Sequence, residues 1–122
     1  MVSVSRKRVL VIDDEPLVLR SVSMVLTSAG YEVESAASGA EALNRMKGEH
    51  FDLVVTDWKM PYMHGDRVAG EIRKRSPLTP VLLLTGSIME APPSGFDAVL
   101  FKPFSIHELR EAVDHLAKPP SA

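Results

Sequence analysis

The sequence contains no cysteine. Disulfides, thiol nucleophiles and thiolate metal sites are excluded, and a reducing compartment suits the chain. It has no marked excess of charge. Fourteen Lys and Arg stand against sixteen Asp and Glu, a net charge of -2. No broad basic field invites nucleic acid, so no direct nucleic-acid contact is expected. Long apolar runs are missing too. The basic cluster in MVSVSRKRVLVI is followed by a stretch too short for a signal peptide or a membrane span. We expect a cytoplasmic protein without membrane contact. No internal repeat, low-complexity tract or DNA-binding motif is visible. What is present is 122 residues, 45% hydrophobic and 25% charged, which fits one soluble globular domain with a core of its own.

Short apolar runs alternate with helical patterns. RVLVIDD (8–14), YEVESAA (31–37), FDLVVTD (51–57), PVLLLTG (80–86) and FDAVLF (96–101) read as five strands. PLVLRSVSMVLTSAG (16–30) places Val18, Val22, Val25 and Leu26 at helical spacing, with Pro16 in the first turn and Gly30 as a stop. Leu17 and Met24 fall on the opposite side of that helix, as two members of an apolar docking patch or as ordinary exposed residues. SGAE (38–41) and SIHE (105–108) match capping boxes. GDRVAGEIRKR (65–75) is a helix with Val68 and Ile72 inward. The last helix carries Ile106, Leu109, Val113 and Leu116 on one face. Strands apolar on both sides imply a sheet covered on both faces. The alternation predicts an α/β fold with a doubly wound, five-stranded parallel sheet. Pro92 and Pro93 predict a shortened or irregular fourth helix across SIMEAPPSG (87–95).

In this class a ligand site lies beyond the carboxyl ends of the strands. Asp13 and Asp14 close the first strand, Asp57 the third, Thr85 the fourth and Lys102 the fifth. Each residue has a plainer role. Asp13 and Asp14 could cap the first helix, Asp57 and Thr85 could serve turns, and Lys102 could be a solvated lysine. Together they make three carboxylates, a hydroxyl and an ammonium on one rim. Clustered carboxylates repel, and a hard cation such as Mg²⁺ resolves the repulsion. One carboxylate could then attack a phosphoryl group, with Lys102 and Thr85 suited to its equatorial oxygens.

VIDDEP, VVTDWKMPYMHG, LLLTG and FKPF, in this order, resemble the receiver domain of two-component response regulators. The resemblance implies a flavodoxin-like strand order, 2-1-3-4-5, over residues 1–118, with 119–122 as a tail or the start of a linker. Asp57 would be the phosphoacceptor. Asp14 would bind Mg²⁺ directly, Asp13 would order its waters, and the backbone carbonyl of Lys59 would join Asp57 in the coordination. Thr85 and Lys102 would contact the phosphoryl group, and the Lys102–Pro103 bond would be cis. Gly65 would permit the turn into the third helix. Partners would be a histidine kinase or histidine phosphotransfer protein, and an output domain or protein downstream. Such a domain accepts phosphate and catalyses its own phosphorylation and dephosphorylation; it is not a turnover enzyme.

Three positions depart from the family pattern. Val99 stands where an aromatic often precedes the lysine, with Phe101 two residues on. The stretch from Thr85 to Lys102 is short by roughly one helical turn. Lys59 lies two residues past the acceptor, where side chains influence attack of water. The alternatives are a degenerate receiver that binds partners without phosphorylation, and an aspartate-dependent phosphatase. The phosphatase would want a second Asp at position 59. His50, His64, His107 and His115 lack metal spacing and read as surface residues.

Overall fold

In the computed structural model, residues 6–60, 63–87, 89 and 93–117 are described. The apolar runs form strands β1 (Arg8–Ile12), β2 (Glu32–Ala36), β3 (Leu53–Asp57), β4 (Val81–Thr85) and β5 (Ala98–Phe101). The helices are α1 (Pro16–Ser28), α2 (Gly39–Arg45), α3 (Gly65–Arg75) and α4 (Ile106–Ala117). All strand pairs are parallel, and the sheet order is β2-β1-β3-β4-β5. This is the expected doubly wound, flavodoxin-like sheet.

Side-chain alternation along each strand divides the core in two. Leu10, Ile12, Val54, Val81 and Leu83 face one way, beneath Ala42 and Leu43 of α2 and Val68, Ala69 and Ile72 of α3. Val9, Val11, Val55, Leu82 and Leu84 face the other, beneath Val22 and Leu26 of α1 and Leu109 and Val113 of α4. Each fully buried Leu, Val or Ile contributes about 1.5–3 kcal/mol of hydrophobic transfer energy. These two layers therefore dominate the stability of the sheet.

Local chemistry sets the helix ends. Pro16 occupies the first turn of α1, where its missing N–H costs nothing. At the other end Gly30 adopts φ 99°, while Gly30 N bonds Thr27 O and Tyr31 N bonds Leu26 O. That is a Schellman stop, and it needs a left-handed residue. Ser38 Oγ accepts from Glu41 N, and Glu41 Oε2 accepts from Ala37 N. Ser105 Oγ accepts from Glu108 N while Glu108 Oε1 accepts from Ser105 N, a complete capping box.

The connection from β4 to β5 contains no helix among its described residues. Pro92 and the tail at 119–122 lie outside them. The connection instead lends Phe96 and Met89 to the layer shared with α2 and α3. A right-handed crossover would place a helix on that same face. Two side chains thus pack where a helix was expected to be short.

One expectation is corrected. Ile106 is 64% exposed rather than inward like Leu109 and Val113. It sits in the first turn of α4 and lines an open groove against α1 instead of meeting the sheet. Leu17 and Met24 are exposed on α1, as their spacing predicts, at 78% and 63%. The four histidines are exposed.

Candidate functional site

Strand register brings the polar chain ends to one rim. Ile12 lies opposite Thr56, so Asp13 comes level with Asp57. Asp57 pairs with Leu84, and Thr85 pairs with Phe101, one residue before Lys102. Two backbone bonds extend the ladders past the strands and fix these ends: Asp13 N to Ala36 O at 3.1 Å, and Lys102 N to Thr85 O at 2.8 Å. The chain reverses side at β1, flanked by β2 and β3, which is the switch point where this fold class opens a crevice.

Carboxylate oxygens of Asp13, Asp14 and Asp57 lie within 4.8 Å of one another. Lys102 Nζ donates to Asp57 Oδ1 at 3.3 Å and stands 4.0 Å from Asp13 Oδ2. Asp13 is 2% exposed, and its Oδ1 accepts from Glu15 N at 2.9 Å. That bond is an Asx-type turn leading into α1, whose N-cap is Glu15 with no side-chain cap bond, so the capping role considered for Asp13 is not the one it takes. Its Oδ2 is buried with no hydrogen-bond partner among the described residues. Burial pushes the Asp13 carboxyl up to about 6, with the Glu15 N–H pulling down and the Asp57 charge pushing up.

A buried carboxylate oxygen that faces two more carboxylates and has the Lys102 ammonium at 4.0 Å, beyond hydrogen-bond reach, is incompletely satisfied by the protein. It is well matched to a hard divalent cation with oxygen ligands. The donor set present therefore fits Mg²⁺.

The loop after β3 is built around the backbone of Asp57. Trp58 N donates to Asp57 Oδ1 at 2.9 Å, and Gly65 N donates to Trp58 O at 2.9 Å. A Cβ on Gly65 would come within 2.5 Å of the Asp57 carbonyl oxygen. Gly65 is thus required by close approach of α3 to the strand end, a different reason from the turn expected of it. Met60 is buried in the α2/α3 layer, and Lys59 is exposed at the rim. Thr85 is 2% exposed, and its Oγ1 accepts from Ser87 N at 3.0 Å. The Lys102–Pro103 bond is cis, as the resemblance implied. Val99 packs into the α2/α3 layer, while Phe101 is 45% exposed.

Two participants escaped sequence reasoning. Ser87 acts through its backbone N–H, which its side-chain identity does not announce. Phe96 meets the Trp58 ring at a centroid distance of 6.0 Å, and no spacing rule links positions 58 and 96.

Beside the rim, an apolar groove runs between α1 and α4. Leu17, Ser21, Val25, Phe104 and Ile106 line it, and Lys102 and Pro103 border it. No helix among the described residues is long and apolar enough to cross a membrane.

Known proteins share this architecture. The chain is 40% identical to the transcriptional regulatory protein GlrR of Escherichia coli over 110 residues. That match covers 86% of this chain but 25% of GlrR, so the chain spans a quarter of that relative's length. The fold matches the chemotaxis protein CheY4 of Vibrio cholerae with a TM-score of 0.87 at 32% identity, covering 92% of this chain and 99% of that one. It also matches the response regulator TrrA of Thermotoga maritima, solved in complex with Mg²⁺-BeF, with a TM-score of 0.84 at 37% identity, covering 90% and 98% of the two chains. TrrA in complex with the histidine kinase ThkA gives a TM-score of 0.84 at 38% identity, covering 92% and 99%. The family model for the response regulator receiver domain matches residues 9–114, and with the rim geometry above it shows that the chain belongs to the response regulator receiver domains.

Proposed function

We propose that this domain accepts a phosphoryl group from a phosphohistidine onto Asp57 and thereby changes which partner it binds. The observation that carries this reading is the contact of Lys102 Nζ with Asp57 Oδ1 beside the three-carboxylate cluster. An acid meant only for a turn needs neither.

An oxygen of the Asp57 carboxylate attacks phosphorus. The phosphorus–nitrogen bond to the donor imidazole breaks, and its electron pair stays on the imidazole. Asp57 becomes an acyl phosphate. Lys102 is placed to meet the negative charge that arrives on the phosphoryl oxygens. Thr85 Oγ1 can donate its own proton to a phosphoryl oxygen while accepting from Ser87 N. Asp13, Asp14, Asp57 and the Lys59 carbonyl would hold Mg²⁺, which when bound supplies positive charge for the transferring group. Water later cleaves the acyl phosphate and restores the carboxylate, so the domain acts as a switch and not as a turnover enzyme. Lys59, exposed two residues past the acceptor, stands where it can influence that water.

The donor is a histidine kinase or a histidine phosphotransfer protein. TrrA, a protein of similar fold, is solved bound to a histidine kinase. The exposed Leu17 and Met24 and the groove at Ile106 offer an apolar surface for a helix of such a donor. The readout passes to an output region or a protein partner. A receiver that binds partners without phosphorylation would have no use for the complete acid set with its lysine.

Acetyl phosphate with Mg²⁺ should add one phosphoryl mass to the chain, and Asp57→Asn should abolish the adduct. A wild type that stays unmodified both with acetyl phosphate and with phosphorylated histidine kinases overturns the reading.

A further inference from the structure

We propose that Trp58, packed against Phe96, relays the state of Asp57 to the β4–β5 connection. This inference rests on the phosphoacceptor reading above. It assigns a coupling path within this chain to two side chains that the phosphoryl-transfer chemistry does not use.

Position 99 cannot supply a swinging ring, because Val99 is aliphatic and packed into the α2/α3 layer. Phe101 lies 45% exposed on the outermost strand. The ring that is tied to the acceptor belongs to Trp58. Its own backbone N–H donates to Asp57 Oδ1 at 2.9 Å. A new group on Asp57, or a cation drawing its carboxylate aside, changes that bond and therefore the peptide that carries the indole.

The Trp58 and Phe96 rings stand 6.0 Å apart at 57°, a tilted pairing within the favourable aromatic range. Phe96 is 9% exposed, so its ring cannot move without moving its neighbours. Its backbone sits at a joint. Phe96 N bonds Pro93 O at 3.3 Å, and Asp97 N bonds Val81 O at 2.9 Å. Gly95, at φ 95°, turns the chain immediately before it and accepts from Arg73 Nε at 3.3 Å. Displacing the Phe96 ring therefore loads a turn on one side and the sheet on the other. At the opposite end of the same connection, Ser87 N holds Thr85 Oγ1. The connection is thus gripped from the site at both ends, through Thr85 and through Trp58.

Backbone amide signals of the ¹⁵N-labelled chain, recorded before and after adding Mg²⁺ and beryllofluoride, test the relay. In the wild type the amides of Trp58, Ser87, Phe96 and Asp97 should all shift. In Trp58→Leu the Trp58-position and Ser87 responses should persist, while those of Phe96 and Asp97 fall about threefold. Phe96→Leu should reduce the response at Asp97 similarly, and Trp58→Phe, which keeps a ring, should restore both. Undiminished shifts at Phe96 and Asp97 in Trp58→Leu, or an equal loss in Trp58→Phe, overturn the relay and leave the phosphoacceptor reading intact. No response at position 58 in the wild type overturns both.

Discussion

The Lys102 ammonium donates to Asp57 Oδ1 across 3.3 Å, although 45 positions separate the two residues in the chain. The same nitrogen lies 4.0 Å from Asp13 Oδ2. One side chain from the end of β5 is therefore counterion to acids from β1 and β3. It also competes with any cation for them. Replacing it with methionine keeps most of its length and removes the charge. Lys102→Met should lower phosphoryl uptake from acetyl phosphate by roughly 10- to 100-fold, because the incoming phosphoryl charge loses its nearest protein cation. Mg²⁺ affinity, followed through the single tryptophan beside Asp57, should rise. Uptake at the wild-type rate, or weaker Mg²⁺ binding, would contradict this assignment.

Asp13 makes the site a cost to the fold when no cation is present. Burial holds its carboxyl at about 6 against an ordinary 3.8. The folded chain thus keeps the proton more tightly than the unfolded chain. Stability from this group is complete below about pH 4 and declines as pH climbs through about 6. Asp13→Asn removes the ionisable group and leaves an oxygen for the Glu15 N–H. In EDTA at pH 7 the variant should be more stable than wild type by about 2 kcal/mol, and the gap should close near pH 4. Mg²⁺ at pH 7 should narrow the gap by stabilising wild type more than the variant. Urea denaturation at the two pH values, with and without Mg²⁺, gives all of these quantities. A gap that widens toward pH 4 would show the sign to be wrong.

Two glycines of α3 should respond oppositely to alanine. At Gly65 the added methyl would meet the Asp57 carbonyl at 2.5 Å, and backbone cannot yield as a side chain can. Gly65→Ala should cost about 2 kcal/mol or more and weaken Mg²⁺ binding by moving the end of β3. Gly70 lies inside α3 with nothing within 4 Å of its Cβ position. Gly70→Ala should stabilise by about 0.5–1 kcal/mol and leave the site unchanged. Urea midpoints and a Mg²⁺ titration of each variant decide both statements.

The parts of this structure that were legible in sequence are those governed by short-range rules. β3 and β4 are apolar on both sides, and each residue of both strands is buried. SIHE produced the complete capping box it promised. The site was legible because the fold class collects strand ends, so Asp13, Asp57 and Lys102 could be placed together without knowing one distance. Periodicity assigns a residue to a helix face, but it does not say whether a neighbour reaches that far. Ile106 shows this, lying on the face of Leu109 and yet exposed. Gly65 looked like turn chemistry, whereas it answers to a carbonyl of another element. The Trp58–Phe96 pairing is set by how the β4–β5 connection folds back, which no local pattern encodes.

The groove beside the rim separates chemistry from recognition. Leu17 is 78% exposed on α1 and lines that groove with Ile106, but it stands apart from the acid cluster of Asp13, Asp14 and Asp57. A small phosphodonor needs only the rim, while a protein donor must also rest on the surface around it. Leu17→Glu puts a charge where an apolar helix face would be buried, and an unpaired charge at an interface core costs several kcal/mol. Phosphotransfer from a cognate histidine kinase should fall at least about tenfold, with uptake from acetyl phosphate and the urea midpoint nearly unchanged. His115→Gln, an exposed change near the far end of α4, should leave both donors unaffected. Equal transfer from the kinase to wild type and Leu17→Glu would remove α1 from the docking surface. Equal loss with acetyl phosphate would instead place Leu17 in the phosphoryl chemistry itself.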